Sequence, residues 1–358
     1  MSVRTAIIGA GKVGRTHAQV LSALPQANLV AVCGRTLEKA EVLAAEFGAL
    51  PFANVSDMIR TAGVEAVIVC TPHPAHADPT IEALNAGAHV LVEKPLASSL
   101  ADCDAMLAAA ERSGRTLGVI SQRRWIASAQ RIRTAIDTGQ IGKPILAIAT
   151  LLGWRSPAYY ESDPWRGRWD TEGGGVLVNQ APHQLDLLLW YMGEVAEVSA
   201  YWANLNHPQI EVEDTAVAIL RFKSGALGNL VLSNSQNPGL YGRVHVYGET
   251  GAALGVQTDG GSMFVAGMTP TLEPPYNDVW TIPGEEALLA GWQADERDLF
   301  QRIDPIGHYF ALQIADFLDA IQAGHPPKVT GADGRRVVEL FSAIYESQRI
   351  NAPVKLPL

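Results

Sequence analysis

The chain has 358 residues, of which 47% are apolar and 18% charged, and its formal net charge is -10. At about 100–200 residues per domain, this length predicts two domains, and the composition excludes a mainly disordered protein. The acidic excess argues against nucleic-acid and anionic-membrane partners, which need a basic surface. No apolar run approaches the roughly 18–20 residues that span a bilayer, and the chain starts directly with a strand and a glycine loop, so we expect a cytoplasmic protein. Cys33, Cys70 and Cys103 have no metal-ligand spacing, which predicts neither structural disulfides nor a metal site.

Residues 1–122 alternate short apolar runs with helical patterns, of which Leu37–Phe47 and Pro79–Ala86 are the clearest. Strands buried on both faces have continuous apolar sequences, and strands that alternate with helices predict right-handed crossovers. We therefore expect an α/β domain with a doubly wound parallel sheet. The predicted strands are Thr5–Ile8, Leu29–Cys33, Ala66–Cys70, His89–Val92 and Leu117–Ile120.

Residues 123–358 have longer strand candidates and predict a second domain with a largely antiparallel sheet and helices packed against it. Lys223-Ser224-Gly225 is a hairpin turn between two of the strands. Near the C-terminus, Phe310, Ile314, Phe317 and Ile321 fall on one helical stripe. The predicted strands are Ile145–Leu152, Val195–Asn204, Thr215–Phe222, Leu227–Ser233 and Arg243–Tyr247.

A glycine loop, Gly9-Ala10-Gly11-Lys12-Val13-Gly14, lies between the first strand and a helical stretch, Arg15–Leu24. In this position Gly9 permits a tight turn, Gly11 lets the backbone approach a pyrophosphate, and Gly14 lets helix and strand pack closely. The pattern predicts a dinucleotide site at the helix N-terminus. The alternative is a glycine-rich turn with no ligand.

The end of the second strand bears on the choice of cofactor. A carboxylate there would bind the ribose 2′-hydroxyl and repel a 2′-phosphate, but the sequence is Cys33-Gly34-Arg35-Thr36, with no acid before Glu38. Arg35 could pair with a 2′-phosphate, and Thr36 could donate a hydrogen bond. We therefore favour NADP, or use of both NAD and NADP; the alternative is that Arg35 is a solvated loop residue.

The ends of two further strands carry candidate functional residues. Cys70-Thr71-Pro72 begins a loop that its prolines keep out of helix and that also contains His76. Glu93-Lys94-Pro95 ends an apolar strand with a charged pair. A partly desolvated Lys94 beside a cationic nicotinamide should have a lowered pKa and could share a proton with a reacting hydroxyl. The alternative is a surface lysine in a turn.

The second domain contains a glycine-rich stretch, residues 173–175, that leads into a helix with His183 and Asp186 on one face. A histidine near an acid is a plausible general base for an alcohol, although alone it would more often be a core or capping residue. Upstream lie aromatic and arginine residues that would suit a sugar ring; the alternative is an aromatic core or an oligomer contact. These residues are Trp154, Arg155, Tyr159, Tyr160, Trp165, Arg166, Arg168 and Trp169.

Together these segments resemble the glucose–fructose oxidoreductase / inositol dehydrogenase / MocA (Gfo/Idh/MocA) family over nearly the whole chain. The resemblance implies an N-terminal Rossmann domain and a C-terminal α/β domain whose open sheet often forms the oligomer interface, so we expect a homodimer or homotetramer. It also implies NAD(P)-dependent oxidation or reduction of a sugar, glycoside or cyclitol. Lys94 matches the family's catalytic lysine, in a Lys94–Pro95 bond that is often cis, and His183 matches its catalytic histidine. Inositol-dehydrogenase-like members have an aspartate where this chain has Asn179, which can orient a hydroxyl or the imidazole but carries no charge.

These segments give the expected site residues. We expect Lys94, His183 and Asn179 to be catalytic. The expected cofactor-binding residues are Gly9, Gly11, Lys12, Val13, Gly34, Arg35, Thr36, Cys70, Thr71, Pro72, His76, Glu93, Lys94 and Gln122. The expected substrate-binding residues are Lys94, Trp125, Arg155, Tyr160, Trp165, Arg166, Asn179 and His183. Two other hypotheses stay open at this point, an NAD-dependent redox-assisted glycosidase and a non-catalytic dinucleotide sensor.

Overall fold

Residues 2–258 and 274–358 are described by the computed structural model, in which the chain forms two units. The first unit holds the residues up to Gln122 together with Ile306–Val338. The second holds Arg123–Pro305 and Glu339–Leu358. Among the described helices, none is both long and apolar enough to cross a membrane.

Within residues 2–122, a parallel sheet of six strands has the order β3-β2-β1-β4-β5-β6. This is the strand order of a Rossmann fold, which reverses direction beside β1 and places ligands beyond the carboxyl ends of the strands. The strands are β1 (Val3–Ile8), β2 (Ala27–Cys33), β3 (Leu50–Phe52), β4 (Ala66–Val69), β5 (His89–Val92) and β6 (Leu117–Val119). The helices are α1 (Lys12–Ala23), α2 (Leu37–Phe47), α3 (Val55–Ala62), α4 (Ala77–Asn85) and α5 (Leu100–Ser113).

The sequence-based assignment of this sheet is confirmed, with differences at strand ends. α2 has the predicted bounds because Gly48 ends it in the left-handed conformation, with φ of 66°. β3 was not predicted: it has three residues, one of them Pro51, and so shows no periodicity.

In the described part of the second unit, eight strands form one sheet in the order β13-β12-β11-β7-β10-β9-β8-β14. The pairings are antiparallel except that of β7 with β10, and the predicted hairpin between β9 and β10 is confirmed. The strands are β7 (Pro144–Leu152), β8 (Val195–Ala203), β9 (Thr215–Phe222), β10 (Leu227–Ser233), β11 (Arg243–Gly248), β12 (Ala253–Gln257), β13 (Tyr276–Trp280) and β14 (Val354–Lys355).

The helices of the second unit include one that is buried over almost its whole length. That helix is α9, which begins at Pro182 and carries His183 in its first turn. Proline is tolerated there because the first N–H groups of a helix have no intrahelical acceptor. The helices are α6 (Ala127–Asp137), α7 (Pro157–Glu161), α8 (Val176–Asn179), α9 (Pro182–Met192) and α10 (Leu288–Arg302).

The C-terminal helices change the expected domain division. α11 (Gly307–Ala323) belongs to the first unit, where Phe310, Ile314 and Phe317 pack in one buried cluster with residues of β1 and α1. The buried Gln313 amide also accepts from the backbone N–H of Ser121 and donates to the carbonyl of Val119. The sequence-based division at residue 122 placed this segment in the second domain, but residues 306–338 lie in the first. α12 (Gly331–Ile350) contributes residues to both units.

Candidate active site

The glycine loop joins β1 to α1 with almost no room for side chains. Gly9 has a φ of 111°, and a Cβ there would lie 2.7 Å from the carbonyl carbon of Cys70. A Cβ on Gly14 would lie 1.9 Å from the carbonyl oxygen of Gly9. A Cβ on Gly11, by contrast, would have no heavy atom within 4 Å. Gly9 and Gly14 therefore shape the turn, and Gly11 leaves open space over it.

The N-terminus of α1 fits a phosphate group. Gly11 is its N-cap and makes no side-chain capping bond, and the first turn carries no acidic residue. The first N–H groups of a helix have no intrahelical acceptor and carry a partial positive charge. With the open space at Gly11, this end of α1 can receive a pyrophosphate beside Lys12 and Val13.

The end of β2 presents no carboxylate before α2. The N–H of Gly34 donates to the carbonyl of Phe52 at 3.0 Å, and Arg35 and Thr36 are exposed. The exposed Glu38 lies in the first turn of α2, where hydrogen bonds from its own backbone and from the Thr36 side chain lower the pKa of its carboxyl. Arg35 is the charged side chain nearest the strand end in the sequence.

The expected cofactor residues after the other strands lie at the same edge of the sheet. Cys70, Glu93 and Gln122 follow β4, β5 and β6, whose carboxyl ends meet at the edge that carries the glycine loop. The His76 side chain is fully buried: its Nδ1 lies 2.9 Å from the Pro95 carbonyl oxygen and its Nε2 2.9 Å from that of Thr71. His76 thus ties the loop after β4 to the loop after β5.

Lys94 is partly exposed, and the carboxylate of the preceding residue, Glu93, makes two hydrogen bonds. The Lys94–Pro95 bond is cis, as the family resemblance implied. One carboxylate oxygen of Glu93 lies 2.7 Å from Nε2 of His17, and the other accepts the N–H of Lys94 at 3.0 Å. Sequence reasoning missed His17, although it follows the glycine loop on the buried face of α1.

In the second unit, Glu213 holds the glycine-rich stretch. Its buried carboxylate accepts the N–H groups of Gly175 at 3.0 Å and Leu177 at 2.9 Å, and the Tyr345 hydroxyl at 2.9 Å. Gly174 has a φ of 153°, and a Cβ there would lie 2.3 Å from the Tyr345 hydroxyl. Burial raises the pKa of Glu213 to about 7, and the three donors oppose the rise. This contact fixes the start of α8, which ends at Asn179.

Asn179 belongs to a buried polar network. Its amide nitrogen donates to the carboxylate of Glu172 and lies 3.1 Å from the hydroxyl of Tyr159. The Gln180 amide nitrogen lies 3.2 Å from the same hydroxyl, and its oxygen accepts from Asn234 at 2.8 Å. Asn179 is therefore oriented by a carboxylate that the sequence analysis did not single out.

His183 is 8% exposed, in the first turn of α9. Asp186, which the sequence suggested as its acidic neighbour, binds Arg124, with both carboxylate oxygens accepting from the guanidinium at 2.9 and 2.6 Å. Arg124 lies in the short helical turn that also holds Gln122 and the buried Trp125. Asp186 thus anchors α9 through a buried ion pair.

The aromatic segment divides into two groups. In one, the Arg166 guanidinium lies 4.3 Å from the ring centres of both Tyr159 and Trp165, and the buried Arg155 lies 5.3 Å from that of Tyr159. Tyr160 packs edge-on against Tyr159 with ring centres 5.1 Å apart. In the other group, Trp169 contacts the rings of Trp202 and Tyr345. The first group adjoins Asn179 through the Tyr159 hydroxyl.

Comparison with known proteins gives two family matches. A model described as "Oxidoreductase family, NAD-binding Rossmann fold" matches residues 3–121, and one described as "GFO/IDH/MocA C-terminal domain" matches residues 129–254. The chain is 29% identical to myo-inositol 2-dehydrogenase from Thermotoga maritima, over 99% of this chain and 98% of the relative. It is 27% identical to inositol 2-dehydrogenase from Rhizobium meliloti, over 97% of each.

A solved structure is similar over the whole chain. The WlbA dehydrogenase from Bordetella pertussis, in complex with NADH and UDP-GlcNAcA, superposes with a TM-score of 0.87 at 29% identity, over 100% of this chain and 98% of that one. Aldose-aldose oxidoreductase from Caulobacter crescentus, complexed with glycerol, gives a TM-score of 0.77 at 25% identity, over 99% and 100%.

Proposed function

Because the chain belongs to the Gfo/Idh/MocA family of NAD-binding oxidoreductases, we propose that it transfers a hydride between the nicotinamide and a carbinol carbon of a sugar, glycoside or cyclitol. The observation that carries the proposal is the position of Lys94 after β5, at the sheet edge that bears the open glycine loop. When bound, the nicotinamide supplies the hydride acceptor or donor. The relatives compared above are named as dehydrogenases or oxidoreductases, so the glycosidase and sensor hypotheses have no support.

The chain's own residues supply proton transfer and orientation. Lys94 donates a hydrogen bond to the substrate hydroxyl oxygen, and His183 takes the hydroxyl proton during oxidation. Asn179 orients this hydroxyl or the imidazole through an amide that Glu172 holds in place. Lys94 and His183 reverse these roles during reduction.

The substrate is a ring with several hydroxyl groups. Arginine donors and aromatic faces suit the hydroxyl groups and C–H surfaces of such a ring. The group that adjoins Asn179 offers both, in Arg155, Arg166 and Trp165, with Tyr160 and Trp125 as further candidates. The names of the inositol dehydrogenases and the UDP-GlcNAcA of the WlbA complex agree with a cyclitol or a pyranose.

The chain uses NAD and also accepts NADP. The WlbA structure holds NADH, and the end of β2 lacks the carboxylate that repels a 2′-phosphate. We expect Arg35→Ala to lower kcat/KM for NADP about tenfold, the effect of one charge-assisted contact, with NAD affected less than about twofold. Arg112→Ala, at an exposed helix position, is the control.

The protein works as a homodimer or homotetramer in the cytoplasm. The exposed face of the second sheet carries Tyr201, Val217 and Ile219, which are 70%, 45% and 65% exposed. Apolar patches of this kind mark association surfaces. The cytoplasmic location is proposed because the reaction draws on the cell's nicotinamide pool and the three cysteines are free thiols.

Nicotinamide absorbance tests the function directly. Sugars, cyclitols and glycosides are screened with NAD and with NADP, and Lys94→Ala and His183→Ala are assayed on any substrate that is turned over. We expect each variant to lose at least about a hundredfold in kcat, with a cofactor Kd within about threefold of wild type. Lys355→Ala and His325→Ala, at exposed positions, are the matched controls. Unchanged turnover by Lys94→Ala would remove the proposed mechanism.

A further inference from the structure

A buried hydrogen-bonded pair of side chains connects α1 to the residue before Lys94. His17 is 0% exposed and Glu93 8%, and their Nε2 and Oε1 atoms are 2.7 Å apart. The two residues are 76 positions apart in the sequence. α1 begins at the glycine loop and β5 ends at Glu93, so the pair joins the dinucleotide end of the unit to the proposed catalytic lysine.

The remaining contacts of His17 indicate why a histidine is at this position. Its ring packs edge-on against Phe310, with ring centres 4.5 Å apart. Its Nδ1 atom is buried and has no hydrogen-bond partner among the described residues. A buried polar atom without a partner is unfavourable, so an apolar side chain would serve packing better. The polar contact that His17 does make is with Glu93.

The Glu93 carboxylate has both oxygens engaged. One faces His17, and the other accepts the backbone N–H of Lys94 at 3.0 Å. Burial raises the pKa of this carboxyl, but the hydrogen bond and charge of His17 and the charge of Lys94 outweigh it, so the pKa is lowered below its ordinary value. Since two charges act on each other equally, the carboxylate in turn stabilises the Lys94 ammonium.

Two other titratable groups of the first unit face the same carboxylate. They are Cys70, after β4, and His76, at the start of α4. Burial raises the pKa of the Cys70 thiol and lowers that of the His76 imidazole, which favours the neutral form of both. Neither supplies a charge that competes with Lys94.

We propose that Glu93 and His17 are positioning residues for the proposed catalytic Lys94, in which His17 fixes the Glu93 carboxylate and the carboxylate holds the lysine backbone and balances its ammonium charge. The proposal rests on the role of Lys94 in the proposed function. It also adds a role for Glu93 to the cofactor contact that the sequence analysis expected, because each of its oxygens makes a contact within the protein.

The first test needs no turnover. Lysine side chains of the full chain are labelled by reductive ¹³C-methylation, and the Lys94 resonance is identified by its loss in Lys94→Arg. We expect Glu93→Gln to lower the pKa of Lys94 by about one pH unit, because a nearby opposite charge is removed. Glu93→Asp keeps the charge and should stay closer to wild type. An unchanged Lys94 pKa in Glu93→Gln overturns the proposal.

The second test is a double-mutant cycle on kcat. We expect Glu93→Gln and His17→Leu each to lower kcat about ten- to hundredfold with little change in KM for NAD, and the double variant to lose no more than either. His17→Gln, whose amide nitrogen can occupy the Nε2 position, should recover most of the kcat. Val20→Ala is the matched control, since it trims a buried residue of α1 in the same core cluster and should lower Tm without changing kcat.

The outcomes separate the two proposals. Additive losses in the cycle would show that His17 acts through packing and not through Glu93, which overturns the positioning role while the dehydrogenase function stands. A shifted Lys94 pKa in a protein that oxidises no polyol would instead uphold the pairing and remove the proposed reaction.

Discussion

The side-chain amide of Asn179 donates a hydrogen bond to the carboxylate of Glu172. Glu172 is 1% exposed and Asn179 8%, so the negative charge next to position 179 is screened very little by water. A neutral amide fits this position, and a second carboxylate would not. Asn179 therefore places a neutral donor beside the buried Glu172 carboxylate.

We expect Asn179→Asp to destabilise the protein more at pH 8 than at pH 5. Two adjacent buried carboxylates repel each other, which raises the apparent pKa of the pair above the unfolded value. The penalty is complete above the raised pKa and is relieved as the pH falls towards the unfolded pKa of about 4. A rise of one to three pH units corresponds to about 1–4 kcal/mol, measured by urea unfolding at both pH values.

The double variant Glu172→Gln/Asn179→Asp is the matched control for this prediction. It contains one carboxylate, as the wild type does, so most of the pH-dependent loss should disappear. An equal loss for the single and double variants would show that position 179 is sensitive to shape and not to charge.

Alanine at Gly14 should affect stability, whereas alanine at Gly11 should affect cofactor binding. The Gly14→Ala methyl group would overlap the Gly9 carbonyl oxygen, so we expect a clear fall in Tm. The Gly11→Ala methyl group would enter open space, so Tm should stay near wild type while the Kd for NAD rises about tenfold or more. Thermal unfolding and cofactor titration measure the two effects. A Gly11→Ala variant that binds NAD normally would place the pyrophosphate elsewhere.

Glu213 should make stability fall as the pH rises from about 4.5 to about 7. Burial raises its folded pKa to about 7, so in this window the folded state holds a proton that the unfolded state has lost. This loss of stability is absent below about pH 4.5 and complete above about pH 7, where it lowers the free energy of unfolding by about 3 kcal/mol. Urea unfolding from pH 5 to 8 should show a smaller loss for Glu213→Gln than for wild type. The exposed neighbour Glu211, changed to Gln, should behave as wild type.

Charges on the open sheet face should dissociate the proposed oligomer. Val217 and Ile219 alternate along β9 with buried residues, so their side chains point away from the core. We expect Val217→Asp/Ile219→Asp to give a monomer by light scattering with the fold retained by circular dichroism. Val42→Glu, at a 63% exposed position of α2, should leave the mass unchanged. A wild type that is already monomeric would refute the proposed assembly.

The sequence predicted what local patterns determine. Short apolar runs located the strands of the parallel sheet, Gly48 located the end of α2, and Lys223-Ser224-Gly225 located a hairpin. These features depend on residues within a few positions of each other, so one sequence is enough to find them. The family resemblance added Lys94 and His183 as expected catalytic residues.

The rest depends on contacts between distant positions. The buried partners of Glu93, Asn179 and Asp186 are His17, Glu172 and Arg124. Nothing in the local sequence of a glutamate or an arginine says which element it will meet. His17 alone left a signal, because a polar residue on the apolar stripe of a helix needs a buried partner.

α11 belongs to the first unit although it follows most of the second unit in the sequence, which matters when the first unit is expressed alone. Three residues of α11, Phe310, Ile314 and Phe317, share a buried cluster with Ile7 and Leu21. An isolated fragment that stops at residue 122 would therefore expose the apolar surface of this cluster to water. Such a fragment would tend to aggregate. A fragment that is meant to bind the nucleotide on its own must therefore include α11. The helix could be joined to residue 122 by a linker, or the segments could be arranged in a circularly permuted order.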